Sequence, residues 1–411
     1  MRQAWTYLPT YAADNSAMCS ALYELGGLLV MHDASGCNST YTTHDEPRWF
    51  DRPADVFITG LVETDAILGN ERRMIEDISR AARDLGSAFV AIAGTPIPMM
   101  MGCDYDGIAR EIELETGVPS IGVDTNGTDD YVIGVGKAFL RLAERFVKMP
   151  TKRRPKTLNI LGVTPLDFSV NGSDSALESF AEDAGFEVLS NWAMGSKATL
   201  ERIAHAAEAS LNWVVTAGGI PTALWMNEHF GTPFVIGAPF GRFMAEILPE
   251  RLATAAKEGR SVSLATDCRG NFEATSAMGF TQAEVLVVGE PVISAAIRAS
   301  LVKDFGFSHV AVATPLGLPR VVTEGERLVL GRYDATNLEE DDFRVVIPQC
   351  RMMVADPFYT HFARTLGASP ECVELPHEAL SGRIWHDAMS VLVGERFNQW
   401  FESRLSRAPL I

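Results

Sequence analysis

Short apolar runs recur along this chain, separated by longer amphipathic stretches. LLVM (28–31), VFITGL (56–61), FVAIAG (89–94) and PSIGV (119–123) are rich in Val, Ile and Leu and show no polar alternation. Strands without alternation are buried on both faces, which marks parallel sheets covered by helices. The stretches between them, such as ERRMIEDISRAARDL (71–85) and YDGIAREIELETG (105–117), repeat their apolar residues at helical spacing. This pattern predicts a doubly wound α/β unit over 1–150.

The pattern then starts again twice. TLNILGV, SALESFAEDAG, FEVLSNW, LNWVVTAGG and PFVIGAPFG lead to a helix near 242–257 and define a second unit over 151–283. EVLVVGEP opens a third, over 284–411, which continues through VISAAIRASLVKDFG, HVAVATPLG, RVVIPQ and MMVADP to a helix near 386–405. The fold class expected is α/β, with three doubly wound, Rossmann-like domains and mainly parallel sheets. Ligands of such sheets bind at the carboxyl ends of the strands. That rule singles out the loops at 32–49, 60–70, 94–104, 124–130, 164–174, 217–221, 237–242, 289–291 and 314–319. Gly134 and Gly136 fall in a helical pattern and are expected to serve helix packing. TKRRPK (151–156) is expected to be a solvated linker.

Composition narrows the partners. The 411 residues are 47% hydrophobic and 21% charged, an ordinary globular composition. A formal net charge of −18 argues against nucleic acid and against an anionic membrane surface, since both select clustered positive charge. The first residues lack the apolar core of a signal peptide, and no run approaches the ~18 residues of a membrane span, so a cytoplasmic protein is expected. Several reaction classes lack their motifs: there is no G-x-x-x-x-G-K-[ST], no G-x-S-x-G and no H-E-x-x-H.

The chemistry concentrates after the first strand, in HDASGCNSTYTTHDEPRW (32–49). Cys37 stands there behind Gly36, whose backbone can approach a ligand closely and turn amide N–H groups toward it. Iron–sulfur clusters need thiolates together with N–H donors to their sulfides. Cys103 follows the third strand, in TPIPMMMGC, and Cys19 precedes the first on a short helix, so all three are candidate ligands within one α/β unit. The remaining thiols, Cys268, Cys350 and Cys372, lack such surroundings and are expected to be structural. A [4Fe–4S] cluster takes four thiolates, which points to two chains meeting at an interface. His44 is a candidate proton donor in the same loop, its ordinary pKa being near neutrality. The prolines of TPIPMMMG suggest a stiff, extended segment, and its methionines an adaptable apolar surface. LPHEALSGR (375–383) mixes His, Glu, Ser and Arg in a way that could close a cavity between domains.

These segments resemble the nitrogenase component 1 superfamily. The resemblance rests on the Gly-Cys after the first strand, on DVFITGLVETDAILGNERRMIEDI, and on FVAIAGTPIPMMMGCDYDGIAREIELETGVPSIGVDTNG; HFGTPFVIGAPFG and VVGEPVISAAIRASLVKDFG extend it in order along the chain. It implies three doubly wound domains, pairing of two homologous subunits across their first domains, and an interface cluster of [4Fe–4S] size or larger, like a P-cluster. It also implies a separate ATP-hydrolysing iron protein as electron donor, which fits a chain without a P-loop. Cys37 matches the family motif. The family's third cysteine position falls near Thr95 or Pro96, with Cys103 several residues later, and Cys19 lies closer to Cys37 than the family's first cysteine does. LNWVVTAGGIPTALWMNEHFG has no cysteine where a cofactor-bearing subunit would hold its large cofactor, and only His361, His377 and His386 are candidates by residue type for its histidine. The chain therefore resembles a β-type subunit of a nitrogenase-like reductase. Carbon–sulfur bond reduction of the methylthio-alkane reductase kind is one implied activity, and a non-catalytic scaffold for metallocluster assembly is the alternative.

Overall fold

A computed structural model of the chain describes residues 5–34, 38, 41, 46–49, 51–69, 71–264, 283–316 and 338–405. Its strands form three all-parallel sheets. The first contains β1 (Leu28–Met31), β2 (Val56–Ile58), β3 (Val90–Ala93) and β4 (Ser120–Val123), in the order β2-β1-β3-β4. The second contains β5 (Arg154–Leu161), β6 (Glu187–Asn191), β7 (Ala209–Val214), β8 (Phe234–Ile236) and β9 (Val262–Ser263), in the order β6-β5-β7-β8-β9. The third contains β10 (Val285–Val288), β11 (Val310–Ala313), β12 (Met352–Ala355) and β13 (Glu371–Glu374), in the order β11-β10-β12-β13. The α/β class with three parallel sheets is thus as the apolar runs predict.

Side-chain alternation in the first sheet divides its two faces. Leu29, Met31, Ala91 and Ala93 face the helices Asp14–Leu22 and Tyr131–Phe146, while Leu28, Val30, Val90 and Ile92 face Arg72–Leu85 and Tyr105–Thr116. Gly134 lets the first helix pair touch, because a Cβ there would run into the backbone of Asp14. This is the packing role its helical pattern predicts. The core is not divided into three. One buried cluster runs from Leu29 through Trp213 to Val354, with smaller clusters on the outer faces of the first and third sheets.

Three local expectations are corrected. TPIPMMMG is not extended: Pro96–Met101 is a helix, entered through Thr95 in β conformation. Prolines in a first turn sacrifice no intrahelical bond, because those N–H groups have no partner within the helix. Within RVVIPQ, Arg344–Val346 end a helix that begins at Glu340, and Ile347–Gln349 form a 3-10 turn. Half of the basic linker is strand, since β5 starts at Arg154, whose guanidinium pairs with Glu187.

Candidate functional site

In the first sheet the chain leaves β1 toward β2 on one side and β3 on the other, so the crevice between the carboxyl ends of β1 and β3 is a topological switch point. His32 and Asp33 follow β1, and Thr95 follows β3. The Thr95 hydroxyl is shared between the His32 carbonyl (2.8 Å) and the Asp33 carboxylate (2.9 Å). The position where the resemblance implies a third cysteine therefore holds a buried threonine that ties the two strands together. Asn38 Nδ2 donates to Asp33 (2.5 Å), and Asn38 Oδ1 accepts from Asn15 (2.9 Å). His32 is 3% exposed, and burial pushes its imidazole down to about 4, so it is neutral at pH 7. Its Nδ1 lies 2.8 Å from Thr59 Oγ1, and its Nε2 has no hydrogen-bond partner among the described residues.

The rest of the loop is fastened by a buried ion pair. Glu46, 2% exposed, accepts from Ser20 Oγ (2.7 Å), Tyr41 Oη (3.0 Å) and Arg48 Nε (2.6 Å). Arg48, 4% exposed, also donates to the Ser20 carbonyl (2.7 Å), the Ala193 carbonyl in the second sheet's layer (3.0 Å) and Glu24 (3.2 Å). Gly36, Cys37 and His44 lie outside the described residues, as does Cys268.

The two described first-domain thiols are not brought together. Cys19 is fully buried in the main core, on the face of Leu29 and Met31. Cys103 packs into the cluster on the opposite face, with Leu28 and Val30. Burial, and then the neighbouring Glu46, raises the Cys19 thiol far above its ordinary range. Burial, and then Glu71, pushes Cys103 up to about 11. The metal ligand is the thiolate, so these two thiols, protonated and facing opposite ways, do not fit a shared iron–sulfur cluster within one chain. Cys350 and Cys372 belong to the outer core of the third sheet, as structural thiols would.

Around this edge lies an apolar surface. Helix Glu63–Leu68, following β2, touches helix Pro96–Met101, following β3. Together they expose Val62, Ile67, Leu68, Ile97, Met99 and Met100, with Leu68 72% and Met100 75% exposed. The Leu61 N–H donates to the Asp33 carbonyl (2.7 Å), fixing this surface beside the switch point.

A second site lies where the other two sheets face each other. Their switch points, between β5 and β7 and between β10 and β12, converge on one cavity of about 140 Å³. Asp167 comes from the loop after β5, Glu290 from the loop after β10, Asp356 from the loop after β12, and His377 and Glu378 from the segment after β13. Tyr131, the first residue of its helix in the first domain, donates to Asp167 (2.6 Å). The Ala379 N–H donates to His377 Nδ1 (3.2 Å), which leaves the proton on Nε2, 3.4 Å from Asp167. Glu290 bridges the two sheets, accepting from Ala217 N (2.7 Å) and Ile293 N (2.7 Å). Its burial, and then the charge of Asp167, pushes it up to about 8. Burial likewise raises Asp356, although that carboxylate accepts from Phe358 N, His377 N and the Ser381 hydroxyl. Glu378, also raised by burial, pairs with His386 (3.1 Å). Among the described residues no cysteine lines this cavity, so that donor set does not fit an iron–sulfur cluster. Among the three histidines selected by residue type, His377 reaches the cavity, His386 stands behind Glu378, and His361 is exposed.

The strand-end rule finds most of this cavity, since loops 164–174 and 289–291 supply Asp167 and Glu290. The sequence carries no signal that Asp356 and Tyr131 belong to it. Asp356 reads as a helix cap, which it also is, and Tyr131 as an apolar helix residue.

Three parallel α/β layers, with switch points opening on an edge of the first sheet and on a central cavity, define a doubly wound α/β protein. The chain belongs to the nitrogenase component 1 type oxidoreductase family, whose family model matches residues 21–353. It is 23% identical over 228 residues to the nitrogenase iron-molybdenum cofactor biosynthesis protein NifE of Bradyrhizobium diazoefficiens, covering 50% of this chain and 39% of that protein. It is 30% identical over 99 residues to the nitrogenase molybdenum-iron protein beta chain of Methanothermobacter thermautotrophicus, covering 24% of this chain and 21% of that one. The matched stretches thus span well under half of either relative's length. Among solved structures, "Nitrogenase Cp1 at pH 6.5" superposes with a TM-score of 0.71 over 99% of this chain and 93% of that one, at 14% identity, a likeness of fold. Among the described residues no helix is long and apolar enough to cross a membrane.

Proposed function

We propose that this chain is a β-type subunit of a nitrogenase-like reductase. It pairs through its first sheet with a homologous component 1 subunit, and the two hold an iron–sulfur cluster of [4Fe–4S] size or larger through Cys37. The pair draws electrons from an ATP-hydrolysing iron protein. The observation that carries this reading is the apolar surface of Val62, Ile67, Leu68, Ile97, Met99 and Met100 at the switch-point edge. A contiguous apolar surface of this kind suits burial against a second subunit. Interface burial there would let the partner's thiolates complete a set that Cys19 and Cys103 do not supply together.

The cluster, when bound, supplies one-electron storage and transfer. This chain's own residues anchor the thiol loop through Asn38 and Glu46, shield the edge with methionines, and keep an uncharged imidazole, His32, at the switch point. The thiol-free cavity supports placing the substrate-reducing cofactor on the sister subunit, with carbon–sulfur bond reduction as a candidate reaction.

The test is anaerobic purification of the full chain with whatever co-purifies, followed by iron and acid-labile sulfide counts. A brown, iron-bearing assembly is expected, with iron lost in Cys37→Ala and kept in Cys19→Ala. A colourless wild-type assembly, or full iron in Cys37→Ala, overturns the reading.

A second reading, a scaffold for metallocluster assembly, is favoured by the NifE match, which extends over half of this chain. Turnover with an iron protein and ATP separates the two, because a scaffold hands on its cluster and reduces nothing.

A further inference from the structure

The central cavity is walled by acids that outnumber its bases. Asp167, Glu290, Asp356, Glu374 and Glu378 line it, against one guanidinium, Arg404, and one imidazole, His377. Buried carboxyls are ordinarily paired or hydrogen-bonded, and those left without a cation keep their protons. That is the state of Glu290, which burial, and then the charge of Asp167, pushes up to about 8. Burial also raises Asp356 and Glu378, the latter paired with His386. The proton on Glu290 occupies a position that a cation could take.

The remaining walls specify the kind of cation. Among the described residues no three acids, histidines or cysteines stand close enough together to hold a metal ion. Aromatic residues line the same cavity: Tyr11, Phe168, Phe240, Trp385 and Trp400. Ring faces attract organic cations, most strongly where water is excluded. Tyr11 adds a polar atom without a use: its side chain is 8% exposed, and its hydroxyl, beside Tyr359, makes no hydrogen bond of normal geometry. A cavity near 150 Å³ accommodates a molecule of benzene's size, about six to eight non-hydrogen atoms. Glu378 also borders a more open pocket lined by Tyr41, Ser16 and Ile384.

We propose that the three-domain cavity binds a compact organic cation, an ammonium or amidinium of about six to eight non-hydrogen atoms. It seats between the carboxyls of Asp167 and Glu290 and the aromatic walls. Binding releases a proton from the acid cluster, so charge balances within the cavity. The site is independent of the cluster at the first-domain edge, and a chain stripped of iron keeps it.

The experiment is calorimetric titration of the iron-free full chain at pH 7 with cyclopentylammonium and butanamidinium, using cyclopentanol as the neutral isostere. At least one cation is expected to bind tenfold or more tighter than cyclopentanol. The apparent enthalpy should depend on buffer ionisation enthalpy, reporting proton release. Asp167→Asn should weaken binding at least tenfold. Ser294→Leu, which fills the cavity without touching a carboxyl, should abolish it, so a folding defect in one variant does not decide the matter. If neither cation binds, if cyclopentanol binds equally well, or if no proton is released, the proposal is wrong.

Discussion

Replacing Arg48 by methionine removes the one cation that joins the thiol loop to the second sheet's layer. In the native protein the Arg48 side chain donates to Glu46, Glu24 and the carbonyls of Ser20 and Ala193, and its carbon lies 4.6 Å from the centre of the Tyr23 ring. Arg48→Met leaves Glu46 buried with no cation, its donors reduced to Ser20, Tyr41 and the backbone N–H of residue 48. Breaking a buried pair from one side costs about 3–5 kcal/mol, because the remaining charge stays uncompensated. The two orphaned carbonyls would add about 1–3 kcal/mol each if no water reached them, and any water that enters limits the total. A loss of about 4 kcal/mol at pH 7 is expected, a large share of the roughly 5–15 kcal/mol that stabilises a typical fold. The loss is read at pH 7, where both side chains carry their charges in the native protein. The double variant Glu46→Leu/Arg48→Met should recover much of the loss, with a coupling of about 1–3 kcal/mol. Urea unfolding at pH 7, followed by the fluorescence of the seven tryptophans, measures both. A loss under about 1 kcal/mol, or no recovery in the double variant, would refute the claim that Arg48 neutralises a buried acid.

Three further outcomes are expected. Glu340 accepts from the N–H groups of Thr6, Tyr7 and Leu8, and these bonds hold its carboxyl down to about 2 against the opposing effect of burial. Its contribution is complete above about pH 4.5 and is lost as pH falls toward 2; Glu340→Gln should remove that dependence and open the N-terminal segment to limited proteolysis. Gly134→Ala should lower stability by about 1–3 kcal/mol, read as a drop in thermal midpoint, because the helices Asp14–Leu22 and Tyr131–Phe146 must part. Iodoacetamide at pH 7.5, with peptide mapping, should label Cys103 slowly and Cys19 only after unfolding; prompt Cys19 labelling would contradict its place in the core.

The apolar runs determined the strands and the class of sheet without help. LLVM and VAIA have no polar face, and a segment with no polar face needs cover on both sides wherever it sits. Strand ends likewise announced the loops of Asp167 and Glu290. TPIPMMMG was harder, because a proline looks the same in an extended segment and in a helix's first turn; the carbonyls waiting after β3 decide between them. Only the packed molecule decided that Cys19 and Cys103 look to opposite faces of one sheet. That depends on which helix covers which side of β1, and no spacing along the chain encodes it. The meeting of the second and third switch points is of the same kind. Tyr131, Asp167, Glu290, Asp356 and His377 are each a common residue at a strand or helix end. They meet at one acidic cavity because three α/β layers dock through a shared core. Local chemistry fixes an element's period and ends, but the face it buries and the neighbour it meets are set by contacts between distant parts of the chain.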